Sequence, residues 1–372
     1  MKGLTLASGF FNDLVQPILA AVEPDLKYDA ALVGPGSEVL GLDDETSQDH
    51  HWGPRVILFL RESDFESMRN VLIQALSDQL PSSYQSFSTH WSLPNSNDSN
   101  NQFLITHDEG PVNHRIEITT VPLFLEQTIG RRNLPETDFD WLSLPEQALL
   151  EVTSGEVFHE GLGVLSSIRK HLKYYPDNVW RFKILSSWEK IGQEIAFVGR
   201  TRMREDWLGT RLETARLVRV LTHLSFLLSR RYMPYSKWST VQLKTLELGK
   251  RMYPLLLCIL ETQDWRERED LLCDAYITVL KYQNHIGLTE ALELSPKNYF
   301  DRPQQVIDVG IITSALKHNI LPPLDNIPPI GGMDQFIDET NLLSTPHYYT
   351  RFTEWLKRLG CLSSKRKDPP VR

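Results

Sequence analysis

The chain has 372 residues, of which 41% are hydrophobic and 23% charged, and its formal net charge is −9. That length suffices for two domains with cores of their own, and the acidic balance argues against an extended nucleic acid or a membrane surface as partner, because their phosphates would be repelled. Cys258, Cys273 and Cys361 form no Cys-x-x-Cys pair and read as buried thiols in a reducing compartment, and Asn12 and Asp13 interrupt the first apolar stretch so that it does not read as a secretory signal, which together lead us to expect a cytoplasmic protein.

Apolar residues Phe11, Leu14, Val15, Ile18, Leu19 and Val22 recur at helical spacing and predict a helix over residues 4–22. Strands are predicted near Ala30–Val33 and Val56–Leu60. Ser63 and Glu66 have the spacing of a capping box and open an amphipathic helix with Met68, Val71, Leu72, Ala75 and Leu76 on one side. After a polar loop rich in asparagine and serine (residues 95–102), Phe103–Thr106 and Arg115–Val121 read as strands. Helical patterns then dominate: 146–153, 163–174, 180–197, 208–231, 241–260 and 264–287. The long one from Leu208 sets Leu208, Leu212, Ala215, Val218 and Leu228 on one face. The fold class expected is therefore α+β: a small mixed-sheet domain over residues 1–140, a mainly α-helical domain over 141–360, and a basic tail over 361–372.

Between the first two strands stands Gly34-Pro35-Gly36-Ser37, followed by an acidic stretch and Asp49-His50-His51. Glycines after a strand let a ligand approach the backbone, and the N-terminus of a short helix there would offer free N–H groups to phosphate. Gly36 and Ser37 are the candidates for that role. Asp49 and His51 are two apart, so an extended chain shows both on one face. Glu117, between Ile116 and Ile118, would lie on the face of its strand opposite the isoleucines. With Asp49 it could hold a metal ion, and carboxylates together with phosphate oxygens suit Mg²⁺. The plain alternative for Glu117 is a solvent-facing residue of a half-exposed sheet.

A glycine-serine turn after a strand, a spaced acidic pair and a carboxylate on a later strand resemble the nucleotidyltransferase superfamily, which includes polymerase-beta-like enzymes and aminoglycoside nucleotidyltransferases. More narrowly, GPGSEVLG, SQDHHWGPR, RIEITTV, SLPEQALLEVTSGEVFHEGLG, YYPDNVWRF, QEIAFVGRT, LGTRLETARLVR, RRYMPYSKW and MDQFIDET, which run from residue 34 to about 340, resemble a nucleotidyltransferase-like family with a C-terminal helical domain. The resemblance implies transfer of a nucleoside monophosphate from a nucleoside triphosphate to a hydroxyl or similar group of a small molecule. It implies Mg²⁺ or Mn²⁺ as the metal and a cleft between the two domains. Asp49 and Glu117 would be the catalytic pair, and Asp49, His51 and Glu117 the metal ligands. Arg231, Tyr235 and Lys237 would join Gly36 and Ser37 in holding the nucleotide.

The chain departs from the family at His51, where an aspartate is usual. Imidazole is a poor ligand for Mg²⁺ and a better one for Mn²⁺ or Zn²⁺. Three readings follow: an altered metal preference; an ion held by Asp49 and Glu117 with help from Asp43, Asp44 or Glu45; or a protein that binds nucleotide or a partner without turnover. An accessory role in a small-molecule pathway is a further alternative.

Overall fold

The structure, a computed structural model, describes residues 1–44, 46, 52–94 and 101–363. The fold is α+β, a mixed four-stranded sheet with helices followed by a largely helical region. The chain divides into two compact units, one made of Met1–Leu134 with Ala148–Lys173 and the other of Pro135–Gln147 with the chain from Tyr174 onward.

The predicted N-terminal helix is α1 (Gly3–Phe10), a π-helical turn (Phe11–Val15) and α2 (Gln16–Val22). Strands β1 (Tyr28–Leu32) and β2 (Arg55–Leu60) follow, then α3 (Glu62–Gln79). The capping box does not form. Helix α3 begins at Glu62 with Arg61 as its cap, so Ser63 lies inside the first turn and its hydroxyl donates to Asp64 Oδ1 at 2.8 Å. A short hairpin, β3 (Ser83–Tyr84) with β4 (Phe87–Ser88), precedes β5 (Arg115–Thr120) and α4 (Val121–Ile129). Residues Phe103–Thr106 are not a strand; Leu104 makes an isolated bridge to Trp91. After α5 (Asp138–Leu142) and α6 (Glu146–Thr153) comes a strand that the helical patterning hid, β6 (Glu156–Glu160), and then α7 (Val164–His171).

The sheet order is β5-β2-β1-β6, with β2 parallel to β5 and β1 antiparallel to both of its neighbours. Side chains alternate between its faces. Tyr28, Ala30, Val56, Leu58, Leu60, Ile116 and Ile118 pack in one core with Phe10, Phe11, Leu72 and Leu76 of the helices. The register pairs Arg55 with Arg115, Ile57 with Glu117 and Phe59 with Thr119, so these six share the opposite face. There Phe59 meets Phe124 of α4 edge-on, with ring centroids 5.3 Å apart.

Two local devices fix β6 and α7 to the sheet. The buried Asp29 of β1 accepts from the N–H groups of Leu162, Gly163 and Leu165 at 2.7, 3.0 and 3.1 Å, which caps the chain entering α7. Gly155, between α6 and β6, has φ +74°, and a Cβ there would lie 2.0 Å from the Leu32 carbonyl oxygen. Gly155→Ala is therefore expected to lower the unfolding free energy by about 1–3 kcal/mol, read from urea denaturation.

The second unit contains α8 (Asp177–Glu194), α9 (Phe197–Arg202), α10 (Trp207–Leu228), α11 (Ser236–Leu243), α12 (Glu247–Glu261), α13 (Trp265–His285), the hairpin β7 (Lys297–Tyr299) and β8 (Arg302–Val306), and α14 (Val309–Lys317). Three further helices follow: α15 (Met333–Phe336), α16 (Thr340–Leu343) and α17 (Tyr349–Ser363). The face of α10 that begins at Leu208 is not its buried one. Of the predicted set Leu208 and Leu212 are 70% and 57% exposed and Leu228 is buried, and the buried side runs through Leu217, Leu221 and Leu224. Cys273 is buried and Cys258 exposed. No helix among the described residues is long and apolar enough to cross a membrane.

Candidate functional site

The first unit carries a cavity of about 300 Å³ on the charged face of its sheet. Gly34 and Pro35 form one end, Arg55, Ile57, Arg115 and Glu117 the floor, and Phe124, Gln127 and Thr128 of α4 the wall. Gly34 has φ +88°, and its N–H donates to the Glu151 carbonyl at 2.7 Å, which turns the chain away as it leaves β1.

Two arginines begin the parallel strands side by side, and they differ in what they do. Arg55 is spent on structure. Its Nε donates to Glu38 Oε1 at 2.8 Å and its Nη2 to the Pro35 carbonyl at 2.8 Å. Arg115 lies with its guanidinium 5.0 Å from the centroid of the Trp91 ring. Its Nη1 is buried without a hydrogen-bond partner among the described residues. Burial, reinforced by the charge of Arg55, lowers the Arg115 pKa to about 10, against the pull of Glu38 and Glu117, so it remains a cation at neutral pH. A half-buried cation with an unused donor among the described residues suits an anionic oxygen.

Glu117 is exposed at its tip yet packed round by sheet and helix. Burial raises its pKa, while Arg55, Arg115 and Arg69 act to lower it. Among the described residues Glu117 belongs to no metal-ligating group, and the charges of Arg55, Arg115 and Arg69 act on it. Asp49 and His51, the other two predicted ligands, lie outside the described residues, as does Glu45.

Asp43, considered as a substitute ligand, is committed elsewhere. It is buried, and it accepts from the Gly3 N–H at 2.7 Å and from Trp52 Nε1 at 3.2 Å, with Lys2 beside it. Burial works to raise its pKa, but the Gly3 N–H, Trp52 and Lys2 together hold it below the usual value. The helix expected after the glycine turn is absent: residues Ser37–Gly41 make a turn closed by Leu42 N–H to the Ser37 carbonyl at 2.8 Å. The free N–H groups of a helix N-terminus are therefore not on offer at Ser37. Gly36 has φ +143°, and a Cβ there would fall 2.5 Å from Arg55 Nη2 and 2.6 Å from Glu38 Oε2. Its missing side chain is the space through which the Arg55–Glu38 pair reaches the turn.

Arg231, Tyr235 and Lys237 belong to the second unit, where all three are exposed around the start of α11. Tyr235 N–H donates to Gln147 Oε1 at 3.2 Å, and Lys237 Nζ lies 4.9 Å from the Trp238 ring centroid. Neighbouring Arg230 is occupied by Asp177 and by the face of Trp180 at 3.7 Å.

The second unit also holds a charged cluster that the sequence did not reveal. Glu146, His223 and Asp334 offer ligand atoms within 4.8 Å of one another, a buried group that could hold a metal ion. Lys183 stands among them, with Nζ 3.3 Å from Glu146 and 2.8 Å from Asp334. Glu146 also accepts from the Met233 N–H, and its Oε1 lies 2.8 Å from His223 Nε2. Burial works to raise the Glu146 pKa, but His223, Lys183 and the Met233 N–H bring it down to about 2. The Lys183 pKa is raised: burial opposes the charged form, and Asp334 and Glu146 outweigh it. The cationic place in this carboxylate pair is thus taken by the chain's own ammonium.

The first unit is an α+β unit with a cavity lined by Arg55, Arg115, Glu117 and Glu151. A family model described as a domain of unknown function (DUF4037) matches residues 141–239. Among solved structures the chain is similar to a nucleotidyltransferase-like protein from Exiguobacterium sibiricum 255-15, at 11% identity, over 94% of this chain and 92% of that one, with a TM-score of 0.31. No curated protein matches the chain.

Arg55, Arg69 and Arg115 were missed as site residues in the sequence. The signal for Arg115 was present: it alternates with Ile116 and Ile118 as Glu117 does, which sets it on the same side of the strand.

Proposed function

We propose that the first unit binds the phosphates of a nucleoside triphosphate in the cavity beside Gly34 and Pro35, and that the protein transfers the nucleoside monophosphate to a hydroxyl of a small molecule. The observation that supports this best is the buried Nη1 of Arg115, which has no hydrogen-bond partner among the described residues and belongs to the same cavity as Glu117. In the reaction the acceptor oxygen bonds to the α-phosphorus while the bond to the bridging oxygen breaks. Pyrophosphate leaves with that electron pair, and the acceptor's proton passes to water. Arg115 would neutralise phosphate charge as it shifts toward the leaving group, an effect that grows in a water-poor pocket.

Binding without turnover is the second reading. It is favoured by one observation, the charges of Arg55, Arg115 and Arg69 that all act on Glu117.

The test is thermal melting of the whole protein with each nucleoside triphosphate, with and without Mg²⁺ or Mn²⁺, alongside Arg115→Gln and Glu117→Gln. A ligand at a hundredfold excess over its Kd should stabilise the folded state by about 2.7 kcal/mol. Arg115→Gln should lose most of that protection. Pyrophosphate release that depends on metal and disappears in Glu117→Gln would support transfer, whereas protection without metal and without release would favour the binding reading. If no nucleotide shifts the midpoint under any of these conditions, the nucleotide reading falls.

A further inference from the structure

A second cavity, of about 350 Å³, lies along the open edge of β5. β5 is the outermost strand of its sheet, so backbone groups on the side away from β2 have no strand partner. Phe65 and Ile73 of α3 and Leu123 of α4 give this cavity apolar walls. Arg69, also of α3, is exposed, makes no ion pair among the described residues, and has its guanidinium 6.0 Å from the Phe65 ring centroid. The two cavities of this unit have Glu117 and Gln127 in common. Glu117 therefore faces the phosphate pocket on one side and the edge cavity on the other.

We propose that the edge cavity is a second small-molecule site, and that it takes an aromatic hydroxy acid whose carboxylate pairs with Arg69, whose ring lies against Phe65, and whose hydroxyl donates to Glu117. The charges select this class. An exposed guanidinium with no ion pair among the described residues recruits one carboxylate, and an Arg–carboxylate pair can be bidentate. The apolar walls reward a flat hydrocarbon body, and a Phe ring accepts another ring offset or edge-on. The Glu117 carboxyl oxygens accept hydrogen bonds, so a hydroxyl donor suits the group that reaches them. A second carboxylate on the ligand would meet Glu117 and Glu66, and a purely cationic ligand would meet Arg69. In the role of acceptor this ligand rests on the nucleotidyl-transfer reading above; its binding does not.

The test uses the full-length protein and 4-hydroxyphenylacetate as the probe, followed by ligand-detected NMR and calorimetry. Phenylacetate, which lacks the hydroxyl, is measured beside it. The probe should bind. Arg69→Gln should weaken it by about tenfold or more, and omission of the hydroxyl should weaken it by a similar factor, about the worth of one hydrogen bond to a charged group. Ile73→Trp, which fills the cavity, should abolish it. Arg69 is exposed, so its variant should fold, and the melting point of each variant is checked first. Absence of probe binding to the natural protein overturns the proposal, as does binding that neither variant changes. Nucleotide protection is measured on the same samples. Probe binding without nucleotide protection keeps the site and removes only its acceptor role, while nucleotide protection without probe binding overturns this inference and leaves the nucleotide reading standing.

Discussion

Replacement of Lys183 by methionine should lower the unfolding free energy by about 3–5 kcal/mol, because it strips the cation from a buried ion group and leaves the charges it served. Lys183 is wholly buried, and its ammonium lies between Glu146 and Asp334 with the Tyr175 ring centroid 4.8 Å away. Methionine fills a similar volume, so the loss is electrostatic and not a cavity. Equilibrium denaturation measures it, and Glu146→Gln added to the Lys183→Met variant should recover part of the loss because one stranded charge is removed. The sign of the pH dependence follows from the shifts. The Glu146 pKa is lowered from 4.5 to about 2, so its contribution is present above about 4.5 and is lost as the pH falls toward 2. The Lys183 pKa is raised from 10.5, so its contribution is present below that value and is lost as the pH rises through the folded pKa. The contributions of Glu146 and Lys183 should thus be lost on the acid and the alkaline side respectively, and the acid-side slope should flatten in Lys183→Met. Chelation by EDTA should leave the denaturation midpoint unchanged, since the Lys183 ammonium and not a metal ion supplies the positive charge between Glu146 and Asp334. A midpoint that drops with EDTA would count against that assignment.

The sheet was legible in the sequence wherever apolar residues were continuous or alternated cleanly. Val56–Leu60 is apolar throughout and is buried on both faces, and Arg115–Thr119 alternates about Ile116 and Ile118, so β2 and β5 could be placed within a residue. β6 could not. Its five residues, Glu-Val-Phe-His-Glu, are exposed at the ends and half-buried between, and it forms the other edge of the sheet. Nothing local outweighs the helical patterns on either side of it. Glu117 was visible because one carboxylate interrupts an apolar alternation. Its partners Arg55 and Arg69 were not, because the first is brought by strand pairing and the second by a helix that packs across the strand edge. Lys183 was hidden for the same reason. One lysine in Trp-Arg-Phe-Lys-Ile-Leu reads as a point on a solvated helix face, and only the fold brings Glu146, His223 and Asp334 to it. The exposed Leu208 and Leu212 show the converse, since apolar spacing of 3.6 residues names a face but not whether anything covers it.

Arg55→Met is the change expected to reach furthest into the first unit. Arg55 is 7% exposed and Glu38 3%, and the guanidinium ties that carboxylate to the Pro35 carbonyl of the glycine turn. Its removal leaves Glu38 buried without its cation, at a cost of about 3–5 kcal/mol by the same reasoning as for Lys183. Arg55→Lys should restore little. An ammonium is a point charge on a flexible stem and does not reproduce the fork that reaches a carboxylate and a carbonyl at once. The charge itself has a second effect, on the neighbouring strand. Arg55 is one of the causes that lower the Arg115 pKa, so without it the Arg115 pKa should rise toward its ordinary value. A cavity that had lost only charge would bind a triphosphate less tightly but keep its shape. A cavity that had lost the anchor of its turn would lose both. The two are separated by Arg55→Met with Glu38→Leu, which removes the pair together and leaves no stranded carboxylate. Denaturation should show much of the stability regained, because apolar replacement of a whole buried pair is often neutral. Nucleotide protection in that double variant should stay weak if Arg55 acts by holding Gly34–Gly36 in place, and should return if the stranded Glu38 was the whole of the damage. Thermal melting with the triphosphate that protects the natural protein reads this directly, and it bears on the glycine turn, whose Gly36 has no room for a side chain beside Arg55.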